Sequence, residues 1–199
     1  MGIYDSKLYR AMDFIMNTFL LNLIWILMCI PIITIFPATA AMFGVIRKWK
    51  REGEIKIFAS FFRFFKENVK QGIVLELIWL FIAFLFIVNF NFTNQIPSNV
   101  KYVLFAVYFL VLIQFIFITL YIFPVMVQYK VSWIQTIKNS LILSIRNLPN
   151  TILLLLILSA GIAIIYFFAG ATMIIFSLIA YFIYSVVDCT FNKMTEESI

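Results

Sequence analysis

The chain has no histidine, only two cysteines and little charge, and each scarcity removes a class of chemistry. Without histidine or a Cys-x-x-Cys pair, a zinc or haem site has almost no ligands to use, so no metal and no cofactor is expected. Cys29 falls inside the first long apolar run and Cys189 just past the last, so both read as packing residues rather than a disulfide. There are no paired carboxylates, no histidine base and no glycine loop to cradle a phosphate. No catalytic residue is therefore assigned, and the expectation is a protein that is not an enzyme. Charged residues make up 12% of the chain, against roughly 25% in soluble proteins. They are absent altogether from positions 14–46, 77–100, 102–129 and 147–187.

What fills those runs is apolar, and hydrophobic residues reach 64% of the chain. About 20 such residues at 1.5 Å rise cover a bilayer core roughly 30 Å thick. The expected class is all-α: a single polytopic membrane domain, 1–199, with five spans and two interfacial amphipathic helices. Eleven of the fifteen Lys and Arg sit in segments 37–71 and 124–150, each between spans. That is the positive-inside pattern. It places both loops in the cytoplasm, beside anionic lipid, with the N-terminus outside and the C-terminus inside. The net charge of +6 is thus not a nucleic-acid surface, and no nucleic-acid partner is expected.

The expected spans are 14–36, 72–92, 102–123, 152–168 and 171–187. The first is read as a helix kinked at Pro31 and ending near Pro37, since proline lacks an N–H and clashes with the preceding turn. A second helix then leaves through Ala38, Ala41 and Val45 into Arg47, Lys48, Lys50 and Arg51. Ala38-Thr39-Ala40 fits a signal cleavage site, but export of the downstream chain would carry eight basic residues of 37–71 outside against three acids, so no cleavage is expected. Segment 55–70 sets a stripe of Lys56, Ser60, Arg63, Glu67 and Lys70 against Phe58, Phe61, Phe62, Phe64 and Phe65, with Lys66 adding to its charge. It is read as an interfacial anchor, with docking of a cytoplasmic partner as the alternative. Pro124 is expected to stop the third span. Segment 132–148 shows a stripe of Ile134, Ile137, Leu141 and Ile145 opposite Gln135, Lys138 and Asn139. Pro149 opens the fourth span, and Ala169-Gly170-Ala171 makes the hairpin to the fifth.

Two punctuation patterns echo one another. Phe36-Pro37 precedes an amphipathic segment and Glu67-Asn68; Phe123-Pro124 precedes another and Arg146-Asn147. Both run in the same direction, as in a parallel repeat, with convergent punctuation as the alternative. Glu76 is the one ionisable side chain well inside a span, and such a carboxylate is by default a functional candidate. It lies about 6 Å along the helix from Gly72, near enough to the interface to favour a structural pair with Lys70 or another loop base. Asn17, Asn22, Asn89 and Gln114 read as interhelical hydrogen-bonding groups.

Leu20-Leu21-Asn22-Leu23-Ile24-Trp25, then Pro31, then Thr34-Ile35-Phe36-Pro37-Ala38-Thr39-Ala40-Ala41 and Arg47-Lys48 resemble the N-terminal signature of the YesL family of bacterial membrane proteins. The stretch 61–71 resembles its amphipathic segment. Phe123-Pro124, residues 136–141 and Arg146-Asn147-Leu148-Pro149 resemble its second half, so the similarity covers nearly the whole chain. Many members carry glycine before the proline where Phe36 stands here, which reduces backbone freedom at that elbow. The family has no settled biochemical function. Its members commonly accompany carbohydrate ABC importers, so the resemblance implies a bacterial cell-membrane protein with an accessory part in sugar import. The expected partners are then a permease or ATPase subunit, and no catalytic residues come with the resemblance. The Glu-Ala-Ala…Gly coupling pattern of a core permease is absent from both basic loops. The alternatives are a self-sufficient oligomeric transporter or channel, and a membrane scaffold or regulator outside transport.

Overall fold

The computed structural model describes residues 7–53, 55–95 and 100–196. Among these it is all-α: α1 Lys7–Met28, α2 Ile35–Glu52, α3 Ile57–Asn94, α4 Val100–Tyr129, α5 Trp133–Arg146, α6 Leu148–Phe167 and α7 Ile175–Glu196. Five helical stretches are long and apolar enough to cross a membrane, as the composition implies, but they are not the five expected. They are Arg10–Met28, Ile32–Glu52, Ile57–Asn94, Val100–Tyr129 and Leu148–Phe167, while the apolar part of the last helix, Ile175–Phe191, is shorter.

The difference begins at Pro31. The first span is not one kinked helix: α1 stops at Met28 and the chain reverses into α2. Phe14 of α1 stacks on Trp49 of α2 with centroids 5.3 Å apart, and Trp25 Nε1 donates to Thr39 Oγ1 at 3.1 Å, so the two helices run antiparallel. Pro31 takes an extended conformation, φ −76° and ψ 119°. The Thr34 hydroxyl lies 2.6 Å from both the Met28 and Pro31 carbonyls, taking up acceptors that the broken helix leaves free. Pro37 does not end a helix. It is the third residue of α2, in the first turn, where an N–H has no intrahelical acceptor to lose.

α2 is the centre of the core, with Ala38, Ala40, Ala41, Val45 and Ile46 wholly buried. Its small residues let α3 lie close alongside. A Cβ on Gly44 would fall 2.7 Å from the Phe64 ring, and one on Gly72 would fall 2.8 Å from the Pro37 nitrogen. These contacts explain why segment 55–70 is not a separate interfacial helix. It is the first part of the 38-residue α3, continuous with the expected 72–92 span. Phe61 and Phe64 pack against the core while Phe58 stays exposed.

Pro124 likewise fails to stop its helix, because α4 continues to Tyr129 with Pro124, Val125 and Met126 all buried. α5 forms where expected, but its buried face is neither of the two read from the sequence. Thr136, Ser140, Leu143 and Ser144 are buried, whereas Ile134 and Ile145 are more than half exposed and Gln135 and Lys138 are exposed as well. In lipid, apolar side chains gain little by turning inward, and small residues permit close helix packing. α6 matches the fourth expected span closely. The Ala169-Gly170-Ala171 hairpin is part of a 3-10 turn, 169–173, and α7 starts at Ile175 rather than residue 171.

α7 runs antiparallel to α6, as Asn150 meets Thr190 and Gly161 meets Ile179. It is also antiparallel to α1: Phe14 meets Tyr181, and Trp25 meets Phe176. The start of α1 therefore lies at the same end of the bundle as the basic C-terminus of α2, and so does the end of α7. This placement follows from the chain reversal at Pro31, which the expected single kinked span did not include.

Candidate functional site

Along the sequence charge returns at Arg47 and at Lys130, after two uncharged runs. Antiparallel packing brings both points to one end of the bundle, where α3 begins. Arg47 and Arg51 lie one turn apart on α2. Arg47 Nε donates to Gln128 Oε1 of α4 at 2.9 Å, and an Arg51 guanidinium nitrogen donates to the same oxygen at 3.4 Å. Across from them, Arg63 Nε and Lys130 Nζ approach the two carboxylate oxygens of Glu67 at 3.6 and 3.5 Å. Lys48 pairs with Glu52 at 3.4 Å. Together with Phe64 these charged residues line a cleft of about 340 Å³. Its walls carry five cations against two carboxylates, and exposed ion pairs of this kind are worth only ~0–1 kcal/mol. The cleft is thus positive overall. Lys50 joins α7 to the same end, 3.8 Å from Asp188 and 3.2 Å from the Ser185 hydroxyl.

Glu76 lies elsewhere and does not make the expected pair with Lys70. It is 2% exposed, and its Oε2 accepts the Phe36 N–H at 3.4 Å. That amide lies in the first turn of α2, where no partner within the helix is available; the Ile35 amide before it already donates to Ile32 O. The carboxylate completes the joint that the break at Pro31 opens, and the positive end of the helix dipole favours it there.

Of the other residues singled out in the sequence, Arg47, Lys48 and Arg63 meet in the cleft, while Lys66 is exposed outside its lining. Asn22 is wholly buried and clamps α1 to the far hairpin, donating to Thr172 O at 2.8 Å and accepting from Ser177 N at 3.1 Å. That is the interhelical role read for it. Asn68 donates to Phe64 O within α3. Arg146 closes α5, Asn147 joins α5 to α6, and Pro149 occupies the first turn of α6. Sequence reasoning missed Gln128, Lys130 and Gln71, whose amide nitrogen donates to Val131 O and to Thr136 Oγ1. The only signal for Gln128 was its place near the end of an uncharged run.

A family model described as "Protein of unknown function, DUF624" matches residues 18–90, which take in the α1–α2 joint, Glu76 and the α2 and α3 walls of the cleft. The chain is 29% identical over 167 residues to "Uncharacterized protein YesL" of Bacillus subtilis (strain 168), covering 82% of this chain and 78% of that protein. It is also 29% identical over 162 residues to "Uncharacterized protein YteU" of the same organism, covering 75% and 69% respectively. No solved structure matches it.

Proposed function

We propose, from the premise that this chain is a YesL-like membrane protein of a family of unknown function, that it works by contact rather than catalysis, as an accessory to a carbohydrate ABC importer. The observation that carries the contact reading is the basic end: cations from α2, α3 and the turn after α4 are held on a packed core instead of on loose loops. The importer as partner comes from the YesL resemblance. By the positive-inside argument the basic end faces the cytoplasm of a bacterial cell. It is then the surface available to an ATPase or to the inner face of a permease, and it meets the anionic lipid of that leaflet. With this orientation the start of α1 and the end of α7 are also cytoplasmic.

Purification of the tagged protein from its native membrane in a mild detergent, with identification of what accompanies it, tests the reading. A sugar-importer permease or ATPase should be recovered. Finding neither under conditions that keep importers intact would refute the proposal, and sugar flux by the protein alone in liposomes would replace it with a transporter.

A further inference from the structure

The geometry points to the cleft between Arg47, Arg51, Arg63 and Lys130 as a binding site for a phosphate group, supplied by an anionic lipid headgroup or by a soluble phosphate. Both Arg47 and Arg51 converge on one neutral oxygen, Gln128 Oε1, and among the described residues neither has a carboxylate within ion-pair distance. Two guanidiniums focused on an amide oxygen leave donors to spare, and planar guanidinium forks match phosphate oxygens two at a time. On the facing wall, Arg63 and Lys130 share a single carboxylate, Glu67. A cleft of about 340 Å³ has room for a headgroup as well as a bare ion.

Depth favours the lipid source. Arg47 is the first charge after the 14–46 run and Lys130 the first after the 102–129 run. The ends of uncharged runs mark the edge of the hydrocarbon layer, and lipid phosphates lie just beyond it. Phe64, Glu67 and Lys130 also line a second cleft of about 300 Å³, where Asn68 and Gln71 stand beside the buried Met126 and Val127, so a headgroup and an apolar group have adjoining room.

The inference rests on the reading that the basic end meets anionic lipid, and the test separates the two. The purified full chain in neutral detergent is titrated with short-chain phosphatidylglycerol, phosphatidylcholine or inorganic phosphate at constant ionic strength, following its Tm. Phosphatidylglycerol should raise Tm saturably and phosphatidylcholine should not. Arg47→Gln and Arg51→Gln should each weaken the apparent affinity about fivefold, whereas Lys66→Gln and Lys70→Gln, each the same loss of one charge outside the cleft, should not. Equal weakening by both pairs would overturn the site and leave only general attraction to the surface. No response to either phosphatidylglycerol or inorganic phosphate in the unmodified protein would refute both. A response to inorganic phosphate alone, lost in the arginine variants, would establish the site with a soluble source. Gln128→Glu provides a second check. A carboxylate tethered between the two guanidiniums should raise Tm without ligand and abolish the phosphatidylglycerol response. A lower Tm without ligand would show that Arg47 and Arg51 are already neutralised, and would sink the proposal.

Discussion

The two halves of this protein use the same pieces and break them in different places. In the first half the break lies between α1 and α2, and α3 runs unbroken for 38 residues. In the second, α4 runs unbroken through Pro124 and the break falls at Asn147, between α5 and α6. The buried faces nevertheless keep one register: Ile57, Phe61, Phe64, Gly72 and Leu75 correspond at a constant offset to Thr136, Ser140, Leu143, Thr151 and Leu154. Asn68 and Asn147 fall at that offset too, and each donates to the carbonyl four residues back. The Phe-Pro pairs meet in the core, with the Phe36 and Phe123 rings 5.0 Å apart. This supports reading the two copies as related and not as chance punctuation. The difference teaches that a proline does not decide where a helix breaks. What decides is whether the groups freed by the break find partners: Glu76 and Thr34 in the first half, Thr151 in the second. The Thr151 hydroxyl lies 2.9 Å from Ser144 O, 3.1 Å from Asn147 O and 3.0 Å from the Tyr121 hydroxyl.

The largest effect expected is all-or-none. If the first break reverses the chain, a cysteine at Ile30, which is 74% exposed, should react with an impermeant thiol reagent in intact cells. One at Asn94 should react as well, and cysteines at Lys50 and Lys138 should resist. Cys29 and Cys189 are first replaced by serine or alanine. Ser140, the obvious probe by sequence, is wholly buried and would resist on either side of the membrane. Protection at Ile30 with labelling at Lys50 would invert the orientation.

Next comes the register position where one half has no side chain. Gly72→Ala should cost about 1–3 kcal/mol, because the new methyl meets the backbone of Pro37 and neither element can retreat. Denaturation in mixed micelles would read this, and a neutral result would mean that α3 does not need its close contact with α2. Glu76→Leu installs an apolar residue like the one its counterpart position holds, Leu155. It should cost about 1–2 kcal/mol by stranding the Phe36 amide, while Glu76→Gln, which keeps an acceptor, should cost less. If the leucine variant were as stable as the parent, the joint would owe nothing to the carboxylate. Thr151→Val should cost about 1 kcal/mol, since individual hydrogen bonds inside membranes are worth about 0.6 kcal/mol. Asn68→Ala and Asn147→Ala should have the smallest effects, about 0.5 kcal/mol each, and closely similar ones if the two positions are equivalent.

Much of the architecture was legible because lipid leaves a coarse mark on a chain. Uncharged runs of span length placed the 152–168 helix and the start of the 102–123 helix to within a few residues, although α4 runs on to Tyr129. The hairpin at 169–171 and the position of Pro149 came from local turn and helix-start chemistry. The cleft was half legible: Arg47, Lys48 and Arg63 stood out as charge, but nothing local joined them to Gln128 or Lys130, which lie far along the chain. The orientation of α5 was hidden for a different reason. A periodicity argument, which assumes water on the polar side, weighed the Ile stripe against Gln135, Lys138 and Asn139, while the buried face runs between them through Thr136, Ser140 and Ser144. Here lipid lies outside, and the hydroxyl face turns in to meet Gln114 and Tyr121 through Ser144 and Thr151.

The sequence by itself determined that this protein is helical, that it belongs in a bilayer and that its positive charge gathers between spans, since composition and run length suffice for all three. Only the tertiary structure decided that α1 and α2 form a reversal and not a kink, that Glu76 serves a helix end and not a lysine, and that two distant basic segments close one cleft. Those outcomes depend on which buried amide, carbonyl or guanidinium finds which partner once the helices are packed, and partners dozens of residues apart leave no pattern in a local window of sequence.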